Sequence, residues 1–346
     1  MYYLKNGYLD IDTIIEHSKN NGCYIIFITG GRGTGKTYGV LKYLYQSGDK
    51  FMLMRRTQTE TDFINKPDFQ PFNALNRDYN INVKVKNLSK GSAGFYNADI
   101  DEDKPKDFIG MTCALTTISS MRGFDASDVK TLLYDEFIPE KHKRPITGEG
   151  EALLNAYETI NRNRELKGEE PLLMICLSNS NRLGNPVFEY LQLLPDLQHA
   201  IETGQDELLF PDLSIAIYLV GDSPISERKR DTILYKAAAR TDFEKMALDN
   251  DFSDLAAHTS VKRKLIEYVP VISIDNMIYI YRHKSNRRYY VSRRRSGKFK
   301  REYGNSEVEL KRFRTNNPYM SLAYMERRID FEDFTSENTF RRLLTL

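Results

Sequence analysis

The chain reads as an α/β protein with a mainly parallel sheet, a helical segment after that sheet and a smaller, basic α+β unit at the end. Three observations carry this. Short, almost unbroken apolar runs alternate with amphipathic helical stretches, the pattern of strands buried on both faces and their crossover helices. One such run, at residues 23–28, passes through a glycine-rich turn directly into a helical pattern. Beyond residue 266 the texture changes to alternating strands dense in arginine and tyrosine.

The first run is rich in β-branched and aromatic residues, as a buried parallel strand should be. It leads into Gly30-Gly31-Arg32-Gly33-Thr34-Gly35-Lys36-Thr37, which matches G-x-x-x-x-G-K-[ST] at every position. Glycines let successive backbone N–H groups turn toward a phosphate chain, and the following helix adds its positive dipole end. In such a loop Lys36 reaches the β- and γ-phosphates and the Thr37 hydroxyl ligates Mg²⁺. All eight residues are therefore candidate ATP contacts. Ahead of the strand, residues 11–17 suit a short amphipathic helix. Tyr2, Tyr3 and Tyr8 either pack on an adenine ring or cover the sheet edge.

The second buried strand, residues 50–57, ends in Arg55 and Arg56. In open parallel sheets ligands gather at the carboxyl ends of strands, so these arginines either face the nucleotide or pair with Glu60 and Asp62. Residues 65–106 look inserted. Within them 81–86 alternates strictly, as a half-exposed antiparallel strand, with 94–100 as its partner. Lys84, Lys86 and Lys90 make this hairpin basic, which suits either a solvated surface or a nucleic-acid contact. Residues 108–115 return as a buried strand, and Arg122 follows in a polar turn.

Residues 129–136 form an apolar run closed by Asp135 and Glu136. Downstream of a complete phosphate loop this reads as a Walker B strand. Asp135 holds Mg²⁺ through water, and Glu136 polarises the attacking water. The second acid points to ATP hydrolysis of the motor type. A helix over 155–164 ends with Arg162 and Arg164, which at that spacing cannot share a face. The strand at 172–177 closes on Ser178 and Asn179, which either sense the γ-phosphate or cap a turn. Residues 214–220 look like the last strand of the sheet, and 225–264 like a helical lid or linker. Two strands over 271–282 and a third from Arg287 then open the C-terminal unit. There Arg287, Arg288, Arg293, Arg294 and Arg295 are interleaved with Tyr281, Tyr289, Tyr290, Phe299, Tyr303 and Phe313, a nucleic-acid-binding composition.

The whole-chain properties set few limits. At 346 residues the length fits two domains. The net charge of +2 says nothing about partners, because the positive charge is concentrated locally. Three cysteines, all in apolar surroundings, suit reduced thiols in a cytosol rather than a disulfide framework. The N-terminus lacks a signal-peptide pattern, and no apolar run has membrane-spanning length, so no membrane partner is expected.

In this order the parts resemble the DNA-packaging ATPases of small tailed phages with protein-primed genomes, relatives of the large terminase subunits. The resemblance rests on Gly30–Thr37, Met121-Arg122-Gly123, Leu132-Leu133-Tyr134-Asp135-Glu136, Asn161-Arg162-Asn163-Arg164 and Leu177-Ser178-Asn179. It covers the C-terminal third only loosely. It implies an ASCE-type P-loop ATPase domain over 1–222, a helical lid or linker over 223–266, and a basic C-terminal domain over 267–346 with an RNase H-like fold and a vestigial nuclease site. It also implies a homo-oligomeric ring, a pentamer, seated on the portal (connector) of an empty capsid in the host cytoplasm, using ATP and Mg²⁺ to move double-stranded DNA. The portal and a packaging RNA are the implied partners. Active sites lie between subunits, with Arg122 and one of Arg162 or Arg164 acting in trans, while Arg32 keeps a possible cis role. The alternatives are a full terminase with a working Mg²⁺-dependent nuclease, whose first acid is Asp275 in a strand, or a nucleotide-gated assembly ATPase.

Overall fold

The computed structural model describes residues 2–89, 91–98, 105–121, 126–139, 146, 148–179, 183–221, 223–238 and 261–345. The chain divides into two units, Met1–Leu191 with His199–Ser253, and Gln192–Gln198 with Asp254–Leu346.

The larger unit is built on one sheet. Its strands are β1 (Ile25–Gly30), β2 (Lys50–Arg55), β3 (Val83–Ser89), β4 (Ser92–Ala98), β5 (Pro105–Ala114), β6 (Val129–Asp135), β7 (Leu173–Ser178), β8 (Glu207–Phe210) and β9 (Ile215–Val220). Their spatial order is β3-β4-β5-β2-β6-β7-β1-β9-β8. The run from β5 to β9 is parallel throughout. Both faces of these strands are covered, which is why they are apolar at nearly every position. In β1, Ile26 and Ile28 enter the core made with Ile11, Ile14 and Ile15 of α1 (Ile11–Asn20) and Val40, Leu41 and Leu44 of α2 (Lys36–Ser47). Phe27 points the other way and meets Phe188 and Phe137 at ring distances of 5.0 and 5.3 Å.

One sequence expectation changes here, and one strand is added. The hairpin of β3 and β4 is no separate excursion: β4 pairs antiparallel with β5 and extends the sheet. Its pleat buries Val83 and leaves Lys86 exposed. The strand at Ile215–Val220 is the last of this sheet in chain order, as expected, but the short β8 before it was not foreseen and pairs antiparallel outside it. An edge strand of four residues carries too little periodicity to stand out in sequence. Most of the expected lid, residues 239–260, lies outside the described residues. The described part of that segment holds the helices Pro224–Arg230 and Ile233–Ala238.

The smaller unit has a five-stranded sheet of β10 (Tyr268–Ile274), β11 (Ile278–His283), β12 (Tyr289–Ser292), β13 (Arg301–Tyr303) and β14 (Ile329–Phe331), in the order β13-β10-β11-β12-β14. One face packs Ile272, Ile274, Ile280 and Val291 against Phe313, Met320 and Phe340 of three helices. The other face is aromatic: Tyr268, Tyr279, Tyr281, Tyr290 and Phe299 form a second core. This corrects the expectation that the interleaved aromatics face nucleic acid. Tyr281, Tyr290, Phe299, Tyr303 and Phe313 are all buried. Tyr281, Tyr290 and Tyr303 turn inward from their strands and Phe313 from its helix, while Arg282 and Arg293 are exposed. Asp275 is corrected as well. It is not in a strand but shares an exposed corner with Asn276, both at positive φ (42° and 54°), and the Met277 N–H closes the turn on the Ile274 carbonyl. That is the hairpin geometry Asp and Asn tolerate best.

Candidate active site

The parallel register brings four strand ends to one level. Thr29 of β1 lies beside Ser178 of β7, Asp135 of β6 beside Leu177, and Gly30 beside Val220 of β9. Gly30 has φ +150°, and a Cβ there would stand 2.2 Å from the Val220 carbonyl oxygen. Only glycine lets the chain leave β1 at this point and curl into the loop.

Within the loop Lys36 is 3% exposed. Its ammonium donates to the carbonyls of Gly31 (2.6 Å) and Gly30 (3.0 Å) and to the Thr34 hydroxyl (3.2 Å). Burial lowers its pKa from the ordinary lysine value to about 7, Asp135 works against that shift, and Lys229 adds to it. The Thr37 hydroxyl donates to Asp135 Oδ1 at 3.2 Å. A hydroxyl and a carboxylate, both hard oxygen donors, thus meet beside a buried ammonium, a donor set that fits Mg²⁺.

The two acids of β6 share a counter-ion. Arg55, at the end of β2, reaches Asp135 Oδ2 at 2.8 Å and Glu136 Oε2 at 3.2 Å. Of the two environments open for this arginine in sequence, it takes the one at the strand ends beside the phosphate loop. Glu60 instead closes a capping box with Thr57, and Asp62 accepts from Gln58. Glu136 itself sits at φ +60°, a left-handed conformation costly for a residue other than glycine and often found at functional positions. Arg56 turns the opposite way. It forms a two-pronged pair with Glu149 (2.7 and 3.0 Å), and Tyr134 donates to the same carboxylate at 3.0 Å. This buried network joins β2 and β6 to the first turn of the helix Glu149–Asn161. Neither Arg55's pairing nor Glu149 was assigned from sequence, because both depend on which strands are neighbours.

Arg162 and Arg164 do not lie on the helix, as the sequence pattern suggested. The helix ends at Asn161, and Arg162 and Asn163 both take positive φ, so the chain reverses between the two arginines. Arg164 is buried at 2% exposure and donates to the carbonyls of Ala126, Ser127 and Val129. Arg162 is only half-buried and contacts the Thr159 carbonyl at 3.4 Å. Ser178 is buried and Asn179 half-buried at the end of β7, between the loop strand and the acid strand. Arg122 and Lys90 lie outside the described residues. Arg32 is exposed at the apex of the loop, and its carbonyl accepts a hydrogen bond from Lys229.

The profile of the family described as podovirus DNA encapsidation protein (Gp16) matches residues 12–312. The chain belongs to this family. The match runs from α1 through the loop, both acids and Arg162 into the smaller unit. Two relatives, the DNA packaging proteins of Bacillus phages PZA and phi29, are each 28% identical over 232 residues, which is 65% of this chain and 61% of theirs. The chain thus spans about three fifths of the length of these relatives. Among solved structures it is similar to the bacteriophage Phi-29 viral genome packaging motor assembly, with TM-score 0.65 and 20% identity over 97% of this chain and 99% of that one. It is also similar to the Phi-28 gp11 DNA packaging motor, with TM-score 0.63 and 19% identity over 96% and 97%. At these identities the likeness shows a shared fold.

In this family member the expected basic surface is partly committed. Lys84 is half-buried on β3. In the smaller unit Arg288 pairs with Asp330 (2.6 Å), Arg294 with Glu332 (2.5 Å) and Arg295 with Glu302 (2.8 Å). The side chains of Arg287 and Arg293 are exposed and have no partner among the described residues.

Proposed function

We propose that this chain is the ATPase subunit of a homo-oligomeric ring, a pentamer, that drives double-stranded viral DNA through the portal into a preformed capsid. The observation that carries this is the meeting of Thr37 Oγ1 and Asp135 Oδ1 at 3.2 Å beside the Lys36 loop, in a member of the encapsidation family. Thr37 and Asp135 would hold Mg²⁺ there, and it would supply positive charge against the polyphosphate.

The chain's own residues divide the remaining work. Gly30 to Gly35 turn backbone N–H groups toward the phosphates, and Lys36 exchanges its loop carbonyls for phosphate oxygens, which are stronger acceptors. Glu136 takes a proton from the attacking water. Only Oε2 of Glu136 contacts Arg55, so Oε1 keeps lone pairs to accept that proton. Arg162 supplies positive charge to the neighbouring subunit's site, with Arg122 as a second candidate. A trans arginine contributes about 10³–10⁵ in rate. Arg164 is a structural residue, held by three carbonyls. Ser178 and Asn179 read the γ-phosphate from between the two catalytic strands.

DNA is gripped through its phosphates, as a motor that must accept any sequence requires, by Lys84, Lys86 and Lys90 and by Arg287 and Arg293. The ATPase, lid and C-terminal segments span 1–222, 223–266 and 267–346. The last binds DNA, the portal or a packaging RNA and does not cut: Asp275 is at an exposed corner, and Glu302, Asp330 and Glu332 are neutralised by arginines. The ring works in the host cytoplasm at the portal vertex.

The test is ATP hydrolysis by the assembled ring with and without double-stranded DNA. Turnover should rise with DNA and fall steeply with salt as counter-ions compete for the phosphates. Hydrolysis indifferent to DNA would remove the motor reading, and Mg²⁺-dependent cleavage of the DNA would restore the nuclease.

A further inference from the structure

Lys229 stands over the phosphate loop from outside it. It lies on the helix Pro224–Arg230, which follows β9, and its ammonium donates to the carbonyl of Arg32 at the loop apex. The contact is close. A Cβ on Gly33 would stand 2.2 Å from Lys229 Nζ and displace it, and Gly33 has a φ of +69° that favours glycine. Three successive carbonyls of the loop, those of Gly30, Gly31 and Arg32, are therefore each taken by a lysine ammonium, the first two by Lys36 and the third by Lys229.

Two ammonium groups directed at one short loop repel each other. Burial lowers the pKa of Lys229, and the nearness of Lys229 lowers that of Lys36 further. The nearest carboxylate in this balance is Asp135, which acts on Lys36. A neutral carbonyl is a poor acceptor for a second cation at such a place. A polyphosphate held by the loop offers charged oxygens to both, and charge-assisted bonds are roughly twice as strong as neutral ones. The four-carbon stem of lysine lets Nζ move by the small distance from the loop carbonyl to a phosphate seated on the loop.

We propose that Lys229 is a second, cis-acting phosphate-binding lysine, which leaves the Arg32 carbonyl to contact the triphosphate and so draws the segment after β9 onto the bound nucleotide. This rests on the ATPase reading given above and adds a residue outside the loop motif to the nucleotide site. It gives the helix Pro224–Arg230 a direct sensor of the phosphate chain: when the polyphosphate leaves, Lys229 falls back to the carbonyl.

The test is equilibrium binding of a fluorescent ATP and of the matching AMP to the full chain with Mg²⁺, for the native protein and for Lys229→Gln and Lys229→Arg. The side chain is half exposed, so both variants should fold, which a thermal melt checks. A hydrogen bond to a charged group is worth about 1.5–3 kcal/mol, so Lys229→Gln should bind ATP about tenfold or more weakly. AMP should be little affected, and Lys229→Arg should recover most of the loss. Unchanged ATP affinity in Lys229→Gln overturns the proposal, as does an equal loss for ATP and AMP, which would mean a distorted loop. Failure of the native protein to bind ATP at all would instead sink the ATPase reading, so the two failures are distinguishable.

Discussion

Arg55 holds Glu136 and Asp135 together: one guanidinium, from the end of β2, spans the two acids that close β6, at 3.2 and 2.8 Å. Asp135 is almost fully buried and needs that counter-ion. Removing one partner of a buried pair costs about 3–5 kcal/mol. Arg55→Ala should therefore melt well below the native protein, and Mg²⁺ with ATP should return much of the loss by supplying positive charge at Thr37 and Asp135. Melts with and without Mg²⁺-ATP decide this; equal destabilisation in both would mean that Arg55 and the metal do not share Asp135.

Glu136→Gln keeps the shape of the side chain and removes its basicity. Turnover should fall by about 10²–10⁴ while ATP affinity stays near native. Single-turnover hydrolysis and nucleotide binding, measured on the same preparation, separate the two. A variant that hydrolyses ATP normally would show that Glu136 is not the base.

Lys36 links binding to pH. Its folded pKa is about 7, against ~10.4 for an unfolded lysine. Between those values the unfolded chain carries the extra proton, so the free protein gains stability as pH rises from about 7 towards 10, and the penalty is complete below 7. A bound polyphosphate raises the lysine again, so ATP binding at about pH 8.5 should take up as much as one proton per site. Calorimetry in two buffers of different ionisation enthalpy measures it. Identical binding heats in both buffers would show that Lys36 is already charged in the free protein.

Arg162 and Arg164 should behave differently. Arg164→Ala removes a buried charged donor from three carbonyls and should cost about 3 kcal/mol or more of stability. Arg162→Ala should melt normally yet lose ATPase in the assembled ring. Mixing Arg162→Ala with Glu136→Gln subunits should recover part of the activity, because some sites then combine a sound Glu136 with a sound neighbouring Arg162. No recovery at any mixing ratio would place Arg162 in cis.

The basic face of the smaller unit divides in the same manner. Arg287→Ala with Arg293→Ala should weaken DNA stimulation and reduce the slope of log affinity against log salt by about two. Arg288→Ala and Arg294→Ala break ion pairs with Asp330 and Glu332, and should show first in the thermal melt. Salt titrations of DNA binding on folded variants test this; an unchanged slope in the double variant would remove Arg287 and Arg293 from the DNA surface.

Local chemistry was legible without coordinates. Gly30 to Thr37 spell a phosphate loop because backbone turn, helix start, lysine and threonine are all adjacent in the chain, and Asp135-Glu136 are legible because a buried strand must end where its apolar run ends. Everything that depended on strand order was not. That Arg55 meets both acids, that Arg56 meets Glu149 instead, and that β7 lies between β1 and β6 follow from parallel pairing across distant segments, which no local periodicity records. The same holds for burial. Arg164, Tyr281 and Tyr290 look like surface chemistry in sequence and lie inside the fold. Carbonyls can take up one end of a buried guanidinium, as they do the Nη2 of Arg164, and alternate strand positions turn inward whatever charge stands beside them. The sequence by itself determined what the nucleotide loop can bind; the tertiary structure decided which charges reach it, because that depends on which strand ends share an edge.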